Sequence, residues 1–147
     1  MKRLIFLYAG DISPLFRGRT MNERVYNDHT HMNICMQNVF ESQLLGTGKF
    51  KGNVRVDALV YMPFPEGMGE KRQKEKDNHY YRNNPSVAGM MRALEGVCGD
   101  LLFEKDTVIV AMSMEKRWSV DPRLEMIISE VGLYEREEDK KEKKGSD

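Results

Sequence analysis

The spacing of apolar residues predicts four β-strands in this chain. Residues 3–9 form a short apolar run. Apolar and polar residues alternate over residues 53–62, and Pro63 ends the pattern, as is typical of a strand with one buried face. Two further strands are predicted over residues 107–114 and 123–130. We expect residues 118–122 to join these last two strands as an antiparallel hairpin.

Two other segments have the spacing of amphipathic helices. Apolar side chains recur at helical intervals over residues 28–45, and Gly46 follows as an ending signal. Ser86 has the position of an N-cap for a second helix, which we expect to end at Gly99. Residues 64–85 show neither period, so they are expected to form a long polar loop.

The order of these elements, β-α-β-α-β-β, predicts an α+β fold with α/β-like crossovers, a mixed sheet and two helices. Right-handed crossover connections make the first three strands parallel, and the fourth strand then runs antiparallel to them. A chain of 147 residues has the size of one domain. We expect this domain to span residues 1–133, and we expect the charged residues 134–147 to be a disordered tail.

The charge balance excludes a general attraction between the whole chain and nucleic acid, because 23 basic residues oppose 23 acidic ones. A nucleic-acid-binding surface must therefore come from local basic clusters. Arg17 and Arg19 belong to one cluster, and residues 71–76 contain another; ordinary solvated loops are the alternative for both. No segment has the features of a signal peptide or a membrane-spanning helix, so we expect a soluble intracellular protein.

Acidic residues in two places give the strongest chemical signal. Glu75, Asp77 and Asn78 lie in the long loop, and Asp106 precedes the third strand. We expect the three carboxylates to meet at one edge of the sheet. Carboxylate oxygens there would hold a hard cation such as Mg²⁺, in an arrangement that suits phosphodiester hydrolysis. A solvated acidic rim on a structural protein is the alternative interpretation.

Other chemistries have weaker support. His29, His31 and Cys35 have the types and spacing of zinc ligands, but a fourth ligand is missing. Two polar histidines in the first turn of an amphipathic helix are the favoured interpretation. The sequence has no G-x-S-x-G motif, no P-loop and no dinucleotide-binding fingerprint, which argues against acyl transfer, nucleotide hydrolysis and hydride transfer.

A series of short sequence marks occurs in a characteristic order. They are a loop with Gly-Arg-Thr, the strand Lys-Gly-Asn-Val-Arg-Val that ends in Met62-Pro63, the Asp77-Asn78 pair, a helix with Ala93-Leu94, Asp106 before Val-Ile-Val, Lys116, and a closing Pro-Arg-Leu-Glu strand. With this order and spacing, residues 4–131 resemble the RusA-type Holliday junction resolvases, most of which are encoded by phages and prophages.

The chain departs from the pattern of that family at two acidic positions. The family usually has D-x-D-N at the first motif, so Glu75 stands where the leading aspartate would be, while Asp77 and Asn78 match. The family often has paired acids before the third strand, but here Lys105 replaces the first acid and only Asp106 matches. A lysine at this position would either reduce the affinity for a cation or stabilise charge on the scissile phosphate.

The resemblance implies an endonuclease that resolves Holliday junctions and other branched DNA. Such an enzyme uses Mg²⁺, with Mn²⁺ as a substitute, to cut one phosphodiester bond in each of two opposed strands. It implies an isologous homodimer, because a four-way junction has near two-fold symmetry. The bacterial host cytoplasm would be its compartment. A catalytically weakened relative that binds branched DNA without cutting it is the alternative.

The resemblance also assigns roles to individual residues. Glu75, Asp77 and Asp106 would bind the metal and act in catalysis. Phe16 and Trp118 are aromatic residues in loops that are predicted to be exposed, so they would insert or stack against bases, or else pack beneath their own loops. The residues that would contact DNA, chiefly its phosphates, are Arg17, Arg19, Lys76, Asn78, Lys105 and Lys116.

Overall fold

The computed structural model describes residues 1–16 and 23–133 of the chain. The elements in chain order are β1 (Arg3–Ala9), a short 3₁₀ helix (Ser13–Phe16), α1 (Glu23–Gln43), β2 (Asn53–Met62), α2 (Glu70–Lys76), α3 (Val87–Leu102), β3 (Val108–Trp118) and β4 (Arg123–Val131). The predicted α+β class with a mixed sheet is confirmed. The bounds predicted for β1 and β2 agree with the structure.

The four strands form one sheet in the order β1-β4-β2-β3. β2 and β3 are parallel, and β4 is antiparallel to both β1 and β2. The first three strands therefore run in one direction and β4 runs in the other, as predicted. The predicted hairpin between the last two strands is wrong, because β4 lies between β1 and β2.

The path of the chain after β3 explains this difference. Ser119 follows β3, and its backbone N–H donates to the carbonyl oxygen of Met62 at the end of β2 (2.9 Å). The connection therefore crosses the end of β2 and delivers β4 to the far side of that strand. Leu124, Met126 and Ile128 of β4 are fully buried there. In this position both edges of β4 are hydrogen-bonded, one to β1 and the other to β2.

One face of the sheet packs against α1 and α3 to form the core. Phe6 of β1 contacts Phe40 of α1 edge-on, with ring centroids 5.6 Å apart, and also lies near Phe50. Alternate residues of β2 from Val54 to Met62 are buried on this face. The opposite face is more open, and Ile5 of β1 is 71% exposed there. We call this second surface the open face of the sheet.

The helices differ from the sequence-based expectation in three respects. α1 runs from Glu23 to Gln43, whereas the apolar spacing predicts residues 28–45. α3 starts after the predicted N-cap, since Ser86 Oγ accepts a hydrogen bond from the N–H of Gly89 (3.1 Å). Gly99 has a non-helical conformation, as an ending signal should, but the helix resumes and reaches Leu102. α2 is an additional helix inside the predicted loop. Its seven residues are all polar and none is buried, so it has no apolar period to detect.

Candidate nucleic-acid interface and acidic site

The segment of residues 78–81 runs along the outer edge of β3 at its C-terminal end. The N–H of Asn78 donates to the Trp118 carbonyl (2.8 Å), and the N–H of Trp118 donates to the His79 carbonyl (2.9 Å). The N–H of Tyr81 donates to the Lys116 carbonyl (2.9 Å). These strand-like hydrogen bonds fix a loop that would otherwise be free, and they determine where its side chains lie.

Aromatic packing also stabilises the segment of residues 78–81. The Trp118 ring stacks on Phe64, with centroids 5.2 Å apart and an interplanar angle of 3°. Tyr81 meets Trp118 edge-on at 4.5 Å. Of the two alternatives for Trp118, the structure therefore shows packing beneath its own loop, where the side chain is half-buried. Phe16 also packs partly buried against the core.

Basic and aromatic side chains surround a small depression on the surface of this segment. The depression has a volume of about 260 Å³ and is lined by Lys76, His79, Tyr80, Arg82, Asn83 and Trp118. We call it the Tyr80 pocket. The Arg117 guanidinium lies 4.6 Å from the centroid of the Tyr80 ring, and Lys76 Nζ lies 5.9 Å from that of Trp118. Lys76 and Asn78, both predicted to contact DNA, are therefore at or beside this pocket.

Lys116 has a structural role at this end of the sheet. Its Nζ donates to the carbonyl oxygens of Asn83 and Pro85, each at 2.7 Å. Desolvation by burial lowers the pKa of its ammonium group below the ordinary value. The amine therefore fastens the turn that leads into α3, and two of its three hydrogen-bond donors are already used without DNA.

The candidate acids lie at opposite ends of β3, with Asp77 at its C-terminal end and Asp106 before its N-terminal end. Glu75 is exposed on α2, and Asp77 follows that helix and accepts a hydrogen bond from the N–H of Val120 (3.1 Å) just beyond the end of β3. Asp106 is exposed in the turn before β3 begins. The 11 residues of β3, at about 3.3 Å each, separate Asp77 from Asp106 by roughly 35 Å.

The prediction that the three acids meet at one sheet edge is consequently wrong for a single protomer. Asp77 comes after β2, whereas Asp106 comes before β3. Because β2 and β3 are parallel, the C-terminal end of β2 and the N-terminal end of β3 lie on opposite sides of the sheet along the strand direction.

A comparison with known protein families identifies the chain. The family model described as Endodeoxyribonuclease RusA matches residues 15–129. The chain belongs to the RusA endodeoxyribonuclease family. It is also 27% identical over 84 residues to the uncharacterized protein YqaN of Bacillus subtilis (strain 168). That alignment covers 54% of this chain and 59% of YqaN.

Nucleases of the RusA kind generally use divalent metal ions. Among the side chains that the structure describes, no group of three or more His, Cys, Asp or Glu residues is close enough to hold a metal ion. The residues of one described protomer therefore do not fit a metal site of the usual carboxylate type. The zinc interpretation of His31 and Cys35 has no support in the same part of the chain.

The described lining of the Tyr80 pocket does not include three other residues expected to contact DNA in a RusA-type protein. Lys105 is exposed beside Asp106, at the opposite end of β3 from the Tyr80 pocket. Arg17 and Arg19 lie outside the described residues.

No helix in the described part of the chain is long and apolar enough to cross a membrane.

The open face of the sheet carries polar residues that no sequence motif indicates. Asp57 accepts hydrogen bonds from Ser113 Oγ (2.6 Å) and Arg55 Nε (3.1 Å). A groove of about 590 Å³ runs over this face, with Ile5 and Leu7 among its apolar walls. The alternation of β2 gives the signal for this surface, because Arg55 and Asp57 occupy the positions between its buried residues.

Proposed function

We propose that this protein is a structure-selective endonuclease that acts on branched DNA, including Holliday junctions. The RusA family match over residues 15–129 is the observation that carries the proposal. The Tyr80 pocket supports it, since cations beside exposed aromatic rings are typical of nucleic-acid surfaces without sequence preference. Cleavage of cellular DNA requires access to the bacterial host cytoplasm, which we propose as the compartment.

We further propose that the active unit is a two-fold homodimer in which the two ends of β3 come together. Within the described residues, no strand pairs with the outer edge of β3 before residues 116–118. Val108 and Val110 on this strand are 55% and 53% exposed. An unpaired, apolar edge strand is a template for pairing with a second chain.

The antiparallel pairing of two β3 strands has a direct consequence for the acids. Residues 116–118 are already covered by residues 78–81, so the pairing uses the edge before them. It sets the start of each β3 near the covered end of the other, so that Asp106 approaches the partner's segment that follows Asp77. Two equivalent acidic sites then form across the two-fold axis. We propose Glu75, Asp77 and Asp106 as the acids of these shared sites, with Mg²⁺ as the divalent ion. The described residues of one protomer do not assemble such a site alone, so the proposed site requires the dimer.

Mixed dimers test this arrangement. Asp77→Asn and Asp106→Asn should each abolish nicking of an end-labelled four-way junction. Asparagine keeps a carbonyl oxygen for the Val120 N–H, so the turn at Asp77 should be retained. In a mixed dimer of the two variants, one shared site retains both carboxylates and the other retains neither. Mixing the inactive variants should therefore restore cleavage at one strand of the junction.

The controls are exposed acids that lie near the two positions. Asp121→Asn and Glu104→Gln should leave cleavage unchanged. The assay includes linear duplex, and it compares Mg²⁺ with chelator. No restoration by mixing, with both single variants inactive and still dimeric, would contradict the shared site. Full activity of both single variants would remove these acids from the mechanism.

Binding of branched DNA without cleavage is the second candidate function. The separation of Asp77 from Asp106 within one protomer favours it, since isolated carboxylates do not assemble a hydrolytic centre. In the same assay this candidate requires tight, junction-selective binding by the unmodified protein, with no nicks in Mg²⁺ or Mn²⁺.

A further inference from the structure

We propose that the Tyr80 pocket binds one unpaired nucleotide of branched DNA, with the Tyr80 ring stacked on the base and with Lys76 and Arg82 at the adjacent phosphates. The inference rests on the proposed function, because it takes branched DNA as the source of the nucleotide. It adds a defined site and a preference for an unpaired base, which a general basic surface would lack.

The charge of the lining favours an anionic ligand. Lys76, His79 and Arg82 supply two permanent cations and one imidazole, and no carboxylate lines the pocket. The side chains of His79 and Arg82 are exposed, and neither has a hydrogen bond or ion pair within the described chain. Their donors are consequently available for phosphate oxygens.

Tyr80 is arranged as a stacking platform. Its side chain is 64% exposed, which is unusual for a large aromatic residue in a fixed segment. Arg117 lies over its ring at 4.6 Å and is itself held, because Nη1 donates to the Asn78 carbonyl (2.7 Å) and Nε donates to Glu115 (3.2 Å). The platform is thus ordered before any ligand arrives, and this reduces the entropic cost of stacking.

The size of the pocket limits the ligand. Its volume of about 260 Å³ lies below the range of roughly 300–1,000 Å³ that is usual for drug-sized ligands. It therefore suits a single base and not a base pair. Branched DNA interrupts base stacking where strands exchange, so a base is extruded there at lower cost than from a linear duplex.

A fluorescent base measures the proposed stacking directly. The full-length protein is titrated into a short single-stranded oligonucleotide that carries 2-aminopurine, and into a linear duplex of the same sequence. Tyr80→Ala should weaken binding of the single strand by about 10-fold and abolish the fluorescence change that stacking causes. Its effect on the linear duplex should be less than about twofold, and Tyr80→Phe, which keeps the ring, should behave as the unmodified protein.

Matched controls separate stacking from general charge. Tyr61→Ala removes another tyrosine that lies against an arginine, since Arg123 is 3.8 Å from its ring centroid, but it does so on the open face of the sheet. It should not alter binding of the single strand. Arg82→Ala should lower the salt dependence of single-strand binding by about 0.7 in the log–log slope. Arg3→Ala, on the opposite edge strand β1, should leave that slope unchanged.

The outcomes distinguish this inference from the endonuclease proposal. Equal single-strand affinity for Tyr80→Ala and the unmodified protein would overturn the pocket, even if junction cleavage is intact. Tyr80-dependent stacking in a protein that never cuts a junction would support the pocket and contradict the endonuclease. Equal losses on single strand and duplex would also overturn the inference, because they indicate only a phosphate contact.

Discussion

Lys116 shows how a basic residue can be committed to the fold before any ligand is present. Its two carbonyl acceptors both belong to the turn before α3. Lys116→Met should lower the free energy of unfolding by about 1 kcal/mol, because the charge-assisted bonds are lost at a site that water partly screens. Urea denaturation measures this change. Lys105→Met removes an exposed lysine from the other end of β3 and should change stability by less than about 0.5 kcal/mol.

A DNA-binding measurement tests the alternative role of Lys116 as a phosphate contact. If this lysine contacts phosphate, as the sequence resemblance implies, Lys116→Met should reduce the salt dependence of junction binding. We expect no such reduction, since the amine is already hydrogen-bonded. A smaller slope together with unchanged stability would reverse this assignment.

The two cysteines differ in environment, and they should differ in reactivity. Burial raises the pKa of the Cys98 thiol from 9.0 to about 12, and Glu95 adds to the effect. Cys35 is only partly buried, and its Sγ lies 3.6 Å from His31 Nε2. At pH 8, iodoacetamide should therefore modify Cys35 in the folded protein and leave Cys98 intact, as mass spectrometry of peptides would show. Equal modification of both residues would contradict this burial.

The same thiol links stability to alkaline pH. The folded state keeps Cys98 protonated in a range where the unfolded chain ionises it. The unfolded state then binds fewer protons, so stability falls as the pH rises from 9.0 to about 12. Cys98→Ala should remove this part of the pH dependence in chemical denaturation.

At the scale of elements, the first turn of α3 depends on one side chain. Ser86 Oγ accepts the N–H of Gly89, which would otherwise have no partner within the helix. Ser86→Ala should lower the free energy of unfolding by about 1 kcal/mol, whereas Ser86→Asp, which retains an acceptor, should preserve it. Thermal and urea denaturation check both variants. Equal destabilisation by the two substitutions would argue against capping.

The sequence predicts elements well where one apolar period continues without interruption. The bounds of β1 and β2 follow from such runs, and Ser86 correctly indicates the start of α3. α2 escapes prediction because its seven residues are all polar and lie on the surface. Its formation depends on its surroundings, to which single-sequence periodicity is insensitive.

The partner of a strand is harder to predict than the strand itself. A short connection between β3 and β4 is typical of a hairpin, yet Ser119 carries the chain over the end of β2. The candidate site shows the same limit. Residue type and family pattern indicate Glu75, Asp77 and Asp106, but whether they meet depends on which end of a strand each one occupies. The contact between the Tyr80 ring and the Arg117 guanidinium also arises only from the path of residues 78–81 along β3.

At the scale of the whole molecule, the outer edge of β3 determines how two copies would associate. Val110→Lys places a charge on the strand that we propose to pair across the two-fold axis, and a lysine on an edge opposes pairing. The variant should be monomeric in sedimentation and should lose junction cleavage. Ile5→Lys, on the opposite edge strand, should remain dimeric. A monomeric Ile5→Lys with a dimeric Val110→Lys would instead place the interface on the open face.

The central position of β4 also has a consequence for how the protein is made. β1 is synthesised first, but its neighbour in the sheet is β4, and Arg3 pairs with Ser129. A chain that is still emerging from the ribosome has β1, α1 and β2 available, yet it lacks the strand that joins β1 to β2. Contacts between such distant segments form slowly, since the intervening chain must first be closed into a loop. The complete sheet therefore forms only after β4 has left the ribosome, whereas β2 and β3 can pair before it. Until then the apolar side of β1 depends on helices or chaperones for protection.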